Sequence, residues 1–205
     1  MSEQLNLPYF EQEYARSEIS STTKYGEDIV HLLTDARIEE AAQNGRLTVA
    51  MIRPNVGPEA NLLGLSDLDC SERIEEMIEG LGIVGKFSII FSEEIVTEFY
   101  SGAPQATMEQ AAPLDPNQYK SRWPEFVKFM ASGPTTVLLL YSPDGDAISK
   151  WREHLGHWNI EKFRDPKTIR GALGVNVFNN LVHGSDSPDS VLRELSLLRR
   201  NIDSK

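Results

Sequence analysis

The densest chemistry in the chain lies in Asn180-Leu181-Val182-His183-Gly184-Ser185-Asp186. A neutral imidazole is available as a nucleophile near pH 7, which makes His183 a candidate catalytic residue. The segment follows a short apolar stretch and the turn pair Asn179-Asn180, and Gly184 leaves room for a bulky substrate to approach the ring and backbone. Glu194 lies two turns into the helix that Ser187-Pro188 starts, from where it can point back and orient the imidazole. The other histidines are His31, His154 and His157. His154 and His157 are three apart with no third ligand in reach, a poor start for a metal site.

One other motif fails on inspection. Gly80-Leu81-Gly82-Ile83-Val84-Gly85-Lys86 has the glycine and lysine spacing of a phosphate-binding loop, but Phe87 stands where Ser or Thr would hold magnesium. A helix is predicted before it and a strand after it, the reverse of the order that aims a helix N-terminus at phosphate.

The elements that must position these residues follow from periodicity. The apolar spacing of Ile29, Leu32, Leu33 and Ala36 predicts a helix over 27–43 stopped by Asn44-Gly45. Strands are predicted at 47–52, 84–91, 135–141 and 173–178, the last a short fourth strand. Helices are predicted from a Ser71 cap to about Leu81, over 93–100, around Trp123, Phe126, Val127 and Met130, over 146–155, and from Pro188 onward. Residues 55–70, including Cys70, and 101–118, with Pro104, Pro113 and Pro116, read as loops, as does 156–171. Alternating strands and helices predict an α/β sandwich of βαββαβ type; strand order stays open. Residues 1–46 read as a partly helical extension, and 47–205 as the main domain with excursions at 55–70 and 101–118.

Composition limits the function classes. With 40% hydrophobic and 25% charged residues the chain can bury a core, and a net charge of −11 argues against general nucleic-acid binding. A few converging arginines can still hold a small anion. A single cysteine, Cys70, permits no intrachain disulfide, which fits a cytoplasmic setting. The acidic start Met1-Ser2-Glu3-Gln4 does not resemble a signal peptide, and no apolar run approaches the roughly 20 residues that span a bilayer.

Taken in order, several segments resemble the nucleoside diphosphate kinase family. The most specific is Asn180 to Ser187 followed by Glu194. Thr168-Ile169-Arg170-Gly171, Phe129 to Pro134, Arg152-Glu153-His154-Leu155-Gly156 and Met51-Ile52-Arg53-Pro54-Asn55 are similar to further family segments. The similarity covers about 47–200. It implies a ferredoxin-like α/β sandwich whose four-stranded sheet is antiparallel and flanked by helices. It also implies a ping-pong reaction, in which a histidine accepts the γ-phosphoryl group of a nucleoside triphosphate and passes it to a nucleoside diphosphate. By position, His183 would be phosphorylated, Glu194 and Ser185 would steer its ring, and Tyr100 would lie beside it. Asn180 would contact the sugar, Arg53, Arg152 and Arg170 the phosphates, and Trp123 the base. Mg²⁺ would arrive on the nucleotide with no protein ligand, and the assembly would be a homo-oligomer. The sequence departs from the family at Arg53, where the family has Lys, at Asn55, where it has an acidic residue, and at Trp158, where it has Thr. Those departures motivate an alternative, a weakly active or inactive nucleotide-binding module on the same fold.

Overall fold

The computed structural model describes residues 27–54, 67–102, 105, 123–175 and 180–203. Asn55 and nearly all of both excursions lie outside these residues. The chain begins with α1 (Glu27–Thr34) and α2 (Ala36–Gln43), followed by β1 (Leu47–Ile52), α3 (Asp67–Glu76) and β2 (Gly82–Ile89). Next come α4 (Glu93–Phe99), α5 (Trp123–Ala131), β3 (Thr135–Tyr141) and α6 (Ala147–Leu155). The chain ends with α7 (Ile169–Leu173), β4 (Val182–Gly184) and α8 (Pro188–Asp203). The sheet has the order β2-β3-β1-β4 with every pair antiparallel. This is the ferredoxin-like α/β sandwich.

Strand β1 is central and buried along its whole length, which explains why all its residues but Thr48 are apolar. Its residues alternate between two cores. Leu47, Val49 and Met51 face the layer that holds Leu33, Ile38, Phe99, Phe126 and Leu198. Ala50 and Ile52 face the layer that holds Ile74, Trp151, Leu155 and Ile169. No helix among the described residues is long and apolar enough to cross a membrane.

Several boundaries differ from the periodicity reading, each for a local reason. The predicted helix 27–43 is two helices, because Asp35 adopts an extended backbone and its carboxylate accepts from the Arg37 N–H, starting α2 afresh. Both helices share the sheet's core, with Ile29, Leu32, Leu33, Ile38, Ala41 and Ala42 buried in it. The loop reading of 55–70 fails at its end: α3 begins at Asp67, so Cys70 is helical and Ser71 lies inside the helix instead of capping it. No Gly or Pro interrupts 65–79, and acidic residue types suit a helix start. That helix stops at Glu76, where Met77 and Ile78 bond back only three residues, short of Leu81. Strand β2 starts and ends two residues early, with a bulge between Ile83 and Gly85. A Cβ on Gly85 would lie 2.8 Å from Leu32 Cδ2, so this glycine lets α1 close on the sheet. In the failed phosphate-loop motif, Lys86 pairs with Glu75 at 2.7 Å.

The largest correction concerns the fourth strand. It is Val182–Gly184, not 173–178. Leu173 ends α7, which Thr168 caps by accepting the Gly171 N–H at 3.2 Å. A capping Thr with Gly174 just past the helix is a start-and-stop signal that the loop reading of 156–171 passed over. Residues 176–179 lie outside the described residues.

Candidate active site

Strand β4 places His183 opposite Met51 on β1. Directly paired residues share a face, so the imidazole enters the layer into which Met51 points. The backbone just before it is forced: Leu181 has φ of 71°, a left-handed conformation rare for a branched residue, while its carbonyl accepts from Arg53 N at 2.7 Å. Behind the strand, the Trp151 indole donates from Nε1 to the His183 carbonyl at 3.1 Å. This revises the reading of Gly184. A Cβ there would meet Trp151 Nε1 at 2.4 Å, so the glycine makes room for an indole, not for substrate.

Three residues form a relay. His183 Nε2 lies 3.0 Å from Glu194 Oε1, and Ser185 Oγ donates to Glu194 Oε2 at 2.7 Å. Glu194 is 2% exposed, and a buried carboxylate persists only where donors compensate its lost water. With Nε2–H donating to that carboxylate, the lone pair falls on Nδ1, which has no hydrogen-bond partner among the described residues. The ring keeps 15% of its side-chain surface open. Helix α8 aims Glu194: Ser187 Oγ accepts the Ser190 N–H at 3.1 Å, Pro188 follows in the first turn, and Asp186 accepts from Ser190 Oγ at 2.5 Å. That bond, above all, holds the Asp186 carboxyl below its ordinary pKa.

Two rings flank the imidazole edge-on. Phe99 and Tyr100 each lie 5.3 Å from it, centroid to centroid. Tyr100 also meets Phe126 at 4.9 Å. Its hydroxyl is buried without a hydrogen-bond partner among the described residues, and burial raises its pKa against the opposing charge of Arg53.

Cationic groups arrive from three separate stretches. Arg53, 7% exposed at the end of β1, stacks 5.4 Å over Phe126 and donates from Nη1 to Asn180 Oδ1 at 2.7 Å. Arg170, on α7, donates to the carbonyls of Gly156 at 2.9 Å and Val182 at 3.0 Å. Its Nε is buried without a partner, and burial, then the charges of Arg53 and Arg152, lower its pKa to about 9. The group remains charged at neutral pH, in a pocket short of negative charge. Arg152 is exposed on α6, close enough for its charge to act on both Arg170 and Asp186.

The remaining candidates sit differently. Asn180 is 3% exposed, and its Nδ2 donates to the Trp158 carbonyl at 3.3 Å, so both ends of its amide bond to protein. Trp123 is 9% exposed and tilted against Phe126 at 5.8 Å, which makes it mainly a core residue. Trp158 is 43% exposed and stacks on His157. His154 Nε2 meets the Glu79 backbone, and His157 Nδ1 accepts from Asn159 N, so each ring has a structural partner. Sequence reasoning missed Phe99, Trp151 and the strained Leu181. Only Phe99, next to Tyr100, carried a positional signal.

Comparison with known proteins fits this geometry. The family profile described as nucleoside diphosphate kinase matches residues 46–201. A nucleoside diphosphate kinase of Bacillus licheniformis is 31% identical over 150 residues, covering 73% of this chain and 85% of that one. Some other curated relatives are matched over only about half their length. Among solved structures, the Aquifex aeolicus nucleoside diphosphate kinase superposes with a TM-score of 0.53 at 27% identity, covering 75% of this chain and 94% of that chain. A halophilic relative from Halobacterium salinarum, solved in complex with CDP, gives a TM-score of 0.50 at 27% identity, covering 74% and 85% respectively.

Proposed function

The chain belongs to the nucleoside diphosphate kinase family, and from that premise we propose that it transfers the γ-phosphoryl group of a nucleoside triphosphate to a nucleoside diphosphate through a phosphohistidine at His183. The observation that carries this reading is the Ser185–Glu194–His183 relay, which occupies Nε2 and leaves Nδ1 uncommitted on a partly open ring. In the first half-reaction the Nδ1 lone pair attacks the γ-phosphorus. The bond from that phosphorus to the β,γ-bridging oxygen breaks, and the nucleoside diphosphate departs with the electron pair. The ring gains positive charge as the N–P bond forms, and the buried Glu194 carboxylate offsets it. In the second half-reaction a terminal oxygen of the incoming diphosphate attacks the same phosphorus, and the N–P electrons return to Nδ1.

The transferred group carries negative charge over three equatorial oxygens, so catalysis depends on donors already in place. Arg170 Nε and the Tyr100 hydroxyl are unspent donors of the site, both buried without hydrogen-bond partners among the described residues. Leaving a buried donor unpaired costs about 1–3 kcal/mol, and phosphate oxygens would relieve both. In this reading Arg152 and Arg53 assist on the phosphates, Asn180 meets the sugar, and the Trp123 edge borders the base. In this reading guanidinium, amide and hydroxyl groups meet the nucleotide, and Mg²⁺ enters as part of the nucleotide substrate. Self-association of the chain belongs to the same proposal.

The decisive experiment is transfer of label from γ-labelled ATP with magnesium present. We expect an acid-labile, base-stable protein phosphate that disappears in His183→Ala. Unlabelled wild-type protein would end this reading.

One observation favours a second reading, a nucleotide-binding module with little turnover. The Arg53–Asn180 bond at 2.7 Å engages the amide oxygen that would otherwise meet the sugar. That reading predicts nucleotide binding with turnover far below that of its relatives, and turnover comparable to theirs would exclude it.

A further inference from the structure

Arg193 directly precedes Glu194 on α8, and the mechanism above makes no use of it. Its side chain is 47% exposed, yet its guanidinium is well anchored. Nη1 donates to the Phe99 carbonyl at 3.0 Å and to the Glu98 carbonyl at 3.3 Å. Cζ lies 6.0 Å from the Phe99 ring centroid. These carbonyls end α4, a helix with no basic residue of its own in the last turn, so Arg193 supplies the cation that its C-terminus lacks. At its other side, Nη2 stands 3.9 Å from Glu194 Oε1, the oxygen that meets His183 Nε2.

A single guanidinium therefore spans both halves of the imidazole's housing. One half is the ring pair Phe99 and Tyr100, edge-on to His183 at the end of α4. The other half is the carboxylate on α8. We propose that Arg193 is a positioning residue for phosphoryl transfer: it keeps the ring pair and Glu194 in register about His183 without touching substrate. The inference rests on the reading of His183 as phosphoryl acceptor. A planar fork suits the task, since it can bond carbonyls with one nitrogen and face a carboxylate with the other.

The molecule contains its own control. Arg200, seven residues further along the same helix, also ties α8 to α4, through the Glu98 carboxylate. Among the described residues it has no contact with Phe99, Tyr100 or Glu194. If Arg193 merely fastened two helices together, losing either arginine would have the same consequence.

The test uses the full chain as wild type, Arg193→Met, Arg193→Lys and Arg200→Met. Three quantities are read: the single-turnover rate of His183 labelling at saturating γ-labelled ATP, the Kd for ADP, and the melting temperature. Arg193→Met should label roughly tenfold more slowly, the scale of lost outer-sphere support, with the ADP Kd changed by less than about twofold. Arg193→Lys, which keeps the charge but not the fork, should recover to within about threefold of wild type. Arg200→Met should melt earlier by as much as Arg193→Met but label at the wild-type rate. Wild-type rates in both Arg193 variants, or equal slowing in Arg200→Met, would overturn the inference alone. Absence of label in the wild type would overturn the phosphotransfer reading along with it. If Arg193→Met does not fold, Arg193→Gln, which also lacks the charge and the fork, takes its place, and a wild-type rate there overturns the inference.

Discussion

The proposed nucleophile and the proposed nucleotide rim are built in contrasting ways. His183, Ser185 and Glu194 lie within twelve consecutive residues, on a three-residue strand, the short connection after it and the capped helix that follows. Their bonds close on one another at 3.0 and 2.7 Å. The rim instead gathers Arg53 from the end of β1, Arg152 from α6, Arg170 from α7 and Asn180 from the approach to β4. It is held largely by bonds to main-chain carbonyls of Gly156, Trp158 and Val182. By the resemblance, the family pattern is kept in the first region and altered in the second, at Arg53 and Trp158. Substitution within a closed relay leaves another member's buried polar atom unsatisfied. A rim of separate cations shares its task, and one member can change shape while the local charge persists.

That contrast predicts a ranking of effects. The largest beyond loss of His183 itself should come from Glu194→Gln, which removes the charge that offsets the phosphorylated ring. We expect labelling to slow about a hundredfold in a single-turnover assay, with ADP affinity nearly unchanged. A slowing of less than about threefold would show that the relay is not the critical region. Arg170→Met should act on binding, raising the Kd for ADP roughly tenfold to a hundredfold by titration calorimetry. Equal affinity in that variant would remove Arg170 from the rim. The smallest effect should come from Arg53→Lys. It restores the family's residue type and frees Asn180 Oδ1, so kcat/KM should rise by no more than about threefold. A tenfold fall would mean that the rim is as intolerant as the relay, and the contrast would collapse.

The relay was legible in part because some of its geometry is local. A Ser-Pro helix start and a carboxylate two turns later let Glu194 point back at His183, whereas Ser185 entered through the family resemblance and the strand that carries His183 was expected at 173–178. Most strands and helices were legible for the same reason, since Leu47–Ile52, Trp123–Ala131 and Thr135–Tyr141 carry strong periodicity. The misreadings fell where local signals compete. Leu173 could end a helix or begin a strand, and the Thr168 cap decides between them. Gly184 beside a histidine could admit substrate or an indole, and only packing shows Trp151 in that space.

From the amino-acid order alone came the candidate nucleophile His183, the carboxylate placed to orient it, the alternation of strands and helices, and the positive charges available in the chain. The folded chain decided the strand order, the commitment of Asn180 to Arg53 and Trp158, the ring pair about His183, and the reach of Arg193 across to α4. The dividing line is sequence separation. Contacts within a helix turn or two follow from the fixed rise and twist of the backbone. Contacts between residues 94 or 127 positions apart exist only after the sheet has set which helices become neighbours.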